Sequence, residues 1–210
     1  MTSILHTIVD HVVLLSMDVI KTRHMHTQFF NLGITEELFH AIPGKNIAHL
    51  HSPESIETHG INALGSQESY KRIMKKYYNS KAIALFEDDL ILVDDFNEHL
   101  EIFLNEVPKT WDMLYFSGNH IKNPQFITKN VYRIFATWGV LGVIINKRIY
   151  DKINNYNENY SLPFDCSLHD LQRETETYCI NPHVCYPYPS FSVVQQHFQY
   201  YNFFSPAMFR

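Results

Sequence analysis

The chain has 210 residues, 45% of them hydrophobic and 19% charged, with a net charge of −5. That size supports one domain with a sizeable core. With Lys75-Lys76 as the densest basic spot in its neighbourhood, the acidic balance argues against the many-cation face that duplex nucleic acid requires.

Cys166, Cys179 and Cys185 form no C-x-x-C pair. Reduced, mostly buried thiols are therefore expected rather than a disulfide framework or a zinc site. The first residues are apolar but broken by His6, Asp10 and His11, and they lack the basic region and cleavage site of a signal peptide. The longest later apolar stretch, residues 140–145, is too short to span a bilayer. A soluble, cytoplasmic protein is expected, with no transmembrane segment.

In chain order, residues 12–15 (VVLL) predict a buried strand, and 22–32 a helix closed by Gly33. Residues 38–42 predict a second strand, followed by a polar segment over 43–58. Ser66 is placed to cap a helix over 67–78. The apolar run 82–86 (AIALF) predicts a central strand covered on both faces, and it ends in Glu87-Asp88-Asp89. Asp94 or Asp95 then caps a helix reaching Leu104, with Glu98 placed for a capping box. Residues 113–116 and 140–145 predict further strands, and 148–153 a helical turn. From Tyr156 onward periodicity is poor, which predicts loops wrapped around the sheet. This strand–helix alternation implies an α/β fold with a central, mostly parallel sheet flanked by helices. In such sheets ligands sit beyond the carboxyl ends of the strands, where the acidic triplet falls.

Three adjacent carboxylates raise one another's pKa, and a divalent cation removes the conflict. Hard oxygen ligands of this kind suit Mg²⁺ or Mn²⁺. Strand alternation points Glu87 and Asp89 together and Asp88 elsewhere. A solvated acidic turn is the plainer alternative. The chain has no G-x-x-x-x-G-K-[ST] loop and no G-x-G-x-x-G fingerprint. A nucleotide diphosphate would therefore be neutralised by a carboxylate-held cation, which also stabilises charge on a departing diphosphate.

Further short motifs occur in order along about residues 10–195. The strand 12–16 is followed by Lys21 and Arg23, then by 60–67 (GINALGSQ), in which Gln67 stands where a His is usual. Next come 85–90 (LFEDDL), 108–114 (PKTWDML), 137–139 (TWG) through 146–148 (NKR), and 162–165 (LPFD). Together they resemble glycosyltransferase family 25, the lipopolysaccharide and collagen sugar-transferase group. In compactness the chain resembles small virus-encoded glycosyltransferases. The resemblance implies a single-domain type A fold with a loop-rich C-terminal third. Residues about 1–110 would form the nucleotide-sugar-binding half and about 111–210 the acceptor-binding half. It implies a UDP-sugar donor and a carbohydrate acceptor.

On this resemblance Asp89 is the first choice for metal ligand, with Glu87 or Asp88 assisting and His197 as a further candidate. Ser16, Arg23, Ser66 and Gln67 are donor-side candidates, and Asp88 is a candidate for the donor ribose. Asp165, Asp170 and His169 are candidates for the general base toward an acceptor hydroxyl. Trp138 could stack on the acceptor sugar, although a core tryptophan is the commoner use. The competing readings are a metal-dependent phosphohydrolase or nuclease, and a carbohydrate-binding domain without turnover.

Overall fold

A computed structural model of the chain describes residues 2–159, 163–192 and 197–199. Strand β1 (His11–Ser16) leads to helix α1 (Val19–Leu32) and strand β2 (Glu37–His40). Helices α2 (Pro53–His59) and α3 (Ile61–Lys76) precede β3 (Ala82–Glu87) and β4 (Leu90–Leu92). Helix α4 (Phe96–Glu106) is followed by β5 (Met113–Tyr115), β6 (Asn119–His120), β7 (Gln125–Thr128) and β8 (Val131–Arg133). Then come β9 (Thr137–Trp138), β10 (Val143–Asn146), α5 (Tyr150–Asn159) and α6 (Phe164–Leu171). The described chain ends with β11 (Thr177–Ile180), β12 (Cys185–Pro187), β13 (Ser190–Ser192) and β14 (His197–Gln199).

Eight strands form one sheet in the order β2-β1-β3-β10-β5-β11-β8-β7. β10 and β8 run antiparallel to their neighbours, so the other six strands point the same way. The mixed α/β architecture expected from the alternation is present, and strands from both halves of the chain share the sheet.

The continuous apolar runs follow from helices on both faces. Val12, Leu14, Ala84 and Phe86 pack on one face against Met25 and Phe29 of α1 and Phe96, Leu100 and Phe103 of α4. Val13, Leu15, Ile83 and Leu85 pack on the other against Tyr70, Ile73 and Met74 of α3, with α5 and α6 alongside. Side chains of a strand alternate faces, so a strand covered on both sides is apolar at every position.

Helix α1 starts earlier than its periodicity suggests, because the Asp18 carboxylate caps the Ile20 and Lys21 amides. It ends where Gly33 takes the left-handed conformation at φ 69°. Two expectations are corrected. Ser66 does not cap α3: the helix begins at Ile61 behind Gly60 and runs through Ser66. An interior glycine ordinarily weakens a helix, but a Cβ on Gly65 would lie 2.6 Å from the Ile42 carbonyl oxygen, so the helix needs the bare backbone there. Asp95 is the N-cap residue of α4 but makes no side-chain capping bond; its carboxylate meets His99 Nε2 at 3.1 Å, so no capping box forms. Within the loop-rich final third, the described residues include α6 and the fully buried β11. Among the described residues, no helix is long and apolar enough to cross a membrane.

Candidate functional site

A cavity of about 560 Å³ opens at the carboxyl ends of β1 and β3, within the usual range for small-molecule sites. It is lined by Ser16, Lys21, Ser66 and all three residues of the triplet. It is also lined by Asn119 and Trp138 from the β6–β9 ribbon and by Asp165 from the first turn of α6. Residues far apart in sequence thus share one chamber because β1 and β3 are parallel neighbours that end together.

The triplet residues have different partners. Asp88 accepts a hydrogen bond from Ser16 Oγ at 2.5 Å and lies 3.8 Å from Lys21 Nζ. Ser16 is itself held, since its Oγ accepts from the Asp18 amide and from the Thr22 hydroxyl. Glu87 faces the other way and accepts from Tyr70 Oη at 2.9 Å. The Tyr70 ring stacks on Phe164 with centroids 4.2 Å apart. Asp89 has its carbonyl oxygen bonded by the Tyr188 amide at 2.9 Å.

These placements set the electrostatics. Burial first, and the Asp89 charge second, hold Glu87 at about 8, far above an ordinary carboxylate; the Tyr70 hydrogen bond opposes the shift, and the Asp165 charge adds to it. Burial also raises Asp88, opposed by the Ser16 hydrogen bond and the Lys21 charge. A cation bound here would offset the burial cost and the smaller mutual repulsion of these carboxylates, displacing the Glu87 proton. The carboxylates fit such an ion as donors, though not as a complete cage. Among the described residues, the triplet oxygens do not form a trio within 4.8 Å of one another. One or two carboxylates plus ligand phosphate oxygens and water is the usual way Mg²⁺ is held.

The other candidates fall as follows. Arg23 is exposed on α1 and does not line the cavity; Lys21, two residues earlier, does. Gln67 is buried inside α3, away from the cavity wall. His169 and Asp170 lie off the cavity: His169 Nδ1 is 3.1 Å from Asp170 Oδ1, and Asp170 accepts from the Tyr156 hydroxyl. That hydrogen bond, more than the nearby His169, keeps Asp170 below the ordinary carboxylate range. His197 sits in β14, opposite Ser192, with its side chain outside the described residues. Trp138 is 47% exposed on the cavity wall, not a core residue.

Tyr70 is a site residue that the sequence does not mark, being one of 13 tyrosines. Its one signal is helical spacing, since it lies four positions after Ser66 and so shares that face of α3.

A second cluster lies outside this cavity. One ligand atom each from His120, Cys179 and His183 fall within 4.8 Å of one another, the one such trio among the described residues. Burial keeps both imidazoles neutral, lowering His120 to about 4 and His183, with help from His120, to about 3. Cys166, Cys179 and Cys185 are free thiols, two of them buried.

Fold and cavity together define a mixed α/β protein with an acidic, tryptophan-walled ligand chamber at the carboxyl ends of its central strands. No family model matches the chain, and no curated protein matches its sequence. Among solved structures it is similar to A197 from STIV at 12% identity and a TM-score of 0.41, over 89% of this chain and 91% of that one. It is also similar to a glycosyltransferase involved in the glycosylation of the major capsid of PBCV-1, at 9% identity and a TM-score of 0.39, over 70% of this chain and 65% of that one. At such scores neither likeness bears on chemistry.

Proposed function

We propose that the chain is a glycosyltransferase moving a sugar from a nucleotide diphosphate donor, UDP-linked, to a carbohydrate hydroxyl. The observation that carries this reading is the shared chamber: one cavity is lined by the acidic triplet and by Asp165 and Trp138. A donor needs a place for its pyrophosphate next to a place for an acceptor, and this chamber has chemistry for both.

Asp89, with Glu87 or Asp88, would hold Mg²⁺ or Mn²⁺, which when bound supplies charge neutralisation for the departing diphosphate. The chain's own residues do the rest. Ser16 and Lys21 hold the Asp88 carboxylate in place beside the donor. Tyr70 keeps Glu87 oriented by its hydrogen bond. Trp138 offers an exposed ring face for an acceptor sugar. Asp165 is the acceptor-side carboxylate on the cavity wall, and in an inverting transfer it takes the acceptor hydroxyl proton; Asp170 and His169 lie off the wall.

A nuclease or phosphohydrolase working with two metals needs ligands converging around both ions. The carboxylates' failure to form a trio, among the described residues, favours sugar transfer over that chemistry. The test is thermal: UDP with Mn²⁺ should raise the melting temperature more than the two separate increments combined, and Asp89→Ala should remove that synergy. Full synergy in the variant would refute the site. Release of UDP from UDP-sugars, faster when acceptor is added, separates a transferase from a binding module that releases none.

A further inference from the structure

The β6–β9 ribbon has two faces. Asn119 is paired with Trp138 and His120 with Thr137. Side chains alternate along a strand, so the face opposite the cavity wall carries His120 and Thr137. There the His120 Nε2 and His183 Nε2 atoms lie 3.4 Å apart. Each ring is held from its other nitrogen: His120 Nδ1 is 2.7 Å from Thr137 Oγ1, and His183 Nδ1 is 3.2 Å from Ser117 Oγ. The Cys179 thiol of β11 completes the trio.

Two imidazole nitrogens bound to one tetrahedral Zn²⁺ at about 2.0–2.1 Å stand about 3.3 Å apart, close to the spacing seen. A metal-bound histidine is usually oriented by a hydrogen bond from its other ring nitrogen, commonly to a carboxylate, carbonyl or water; here the Thr137 and Ser117 hydroxyls stand in that place. We propose that His120, His183 and Cys179 form a zinc site, separate from the acidic chamber and independent of the sugar-transfer reading. Two nitrogens and a thiolate select a borderline-soft ion such as Zn²⁺ over Mg²⁺ or Mn²⁺. Binding forms the sulfur–metal bond and releases the Cys179 thiol proton to solvent. The trio leaves a fourth position of a tetrahedral ion to be filled by a water or another ligand. The ion ties the β6–β9 ribbon to β11 of the central sheet and thereby fixes the wall that presents Asn119 and Trp138.

Cobalt(II) is a direct probe, because a cysteine thiolate bound to it gives a charge-transfer absorption that oxygen ligands do not. The reduced full chain should take up one equivalent of Co²⁺ with that band, and one equivalent of Zn²⁺ should erase it. Cys179→Ser should abolish the band, while Cys166→Ser and Asp89→Ala should keep it. His120→Asn, at a half-buried position, should weaken cobalt binding at least tenfold. Thr137→Val should weaken it by about 10-fold or more through loss of ring support. Absence of the band in the native chain, its survival in Cys179→Ser, or unchanged affinity in His120→Asn would each overturn the site. If Cys179→Ser does not fold, the His120→Asn titration decides alone.

Discussion

The Tyr70 hydroxyl donates to a Glu87 carboxylate oxygen at 2.9 Å while its ring lies nearly parallel to Phe164, tilted by 10°. One side chain thus joins α3, the end of β3 and the start of α6, and it orients the carboxylate most perturbed by its surroundings. Glu87 stands at about 8, against 4.5 ordinarily.

A pH dependence follows from that shift. The folded chain holds the Glu87 proton more tightly than the unfolded chain, so stability falls as pH rises from about 4.5 to about 8. Glu87→Gln should flatten this part of a urea-midpoint profile. Tyr70→Phe removes a bond that favours the charged form, so it should extend the fall to higher pH while its onset stays near 4.5. A native profile flat across the window would contradict the buried carboxylate. Mn²⁺ should stabilise more at pH 8 than at pH 5, because ion and proton compete for the same oxygens.

Asp165→Asn keeps the shape of the side chain but removes its basicity. Sugar transfer should fall by about 10²–10⁴-fold, with the UDP–Mn²⁺ melting shift retained. Turnover within twofold of native would remove Asp165 from the role of base.

Trp138→Ala addresses the acceptor wall. A lost stacking contact of about 1–1.5 kcal/mol corresponds to a rise of roughly tenfold in acceptor KM. Donor KM should not change, and the exposure of the ring, 47%, predicts little loss of stability. A rise in donor KM alone would place the ring on the donor instead.

Gly65→Ala sets two effects against each other. Alanine is favoured in a helix interior by about 1 kcal/mol. The new Cβ, however, would meet the Ile42 carbonyl oxygen at 2.6 Å and the Gly44 Cα at 2.9 Å, both backbone atoms that cannot swing aside. Forced overpacking of this kind costs about 1–3 kcal/mol, so a net loss is expected in the denaturation midpoint. A more stable variant would mean that α3 and the segment after β2 separate readily.

The elements most legible in the sequence are those with strong local signals. Residues 82–86 are apolar without a break, and they form β3. Gly33 ends α1 as its position implies. Less legible are the elements whose character depends on distant partners. β11 has only four residues, and it is a sheet strand because β5 and β8 flank it. The start of α3 lies before a glycine that ordinarily weakens helices, yet the close approach of Ile42 and Gly44 requires it.

By itself the sequence determined the alternation of strands and helices, the apolar character of the central strands, and the acidic triplet at the end of one of them. Each is a local property, written in neighbouring residues. Only the tertiary structure decided that Asp165 and Trp138 share the triplet's chamber, that Lys21 rather than Arg23 lines its wall, and that His120 and His183 meet beside Cys179. Those contacts depend on which strands end side by side and which face of a ribbon turns inward. Long-range packing sets both, and no local pattern records it.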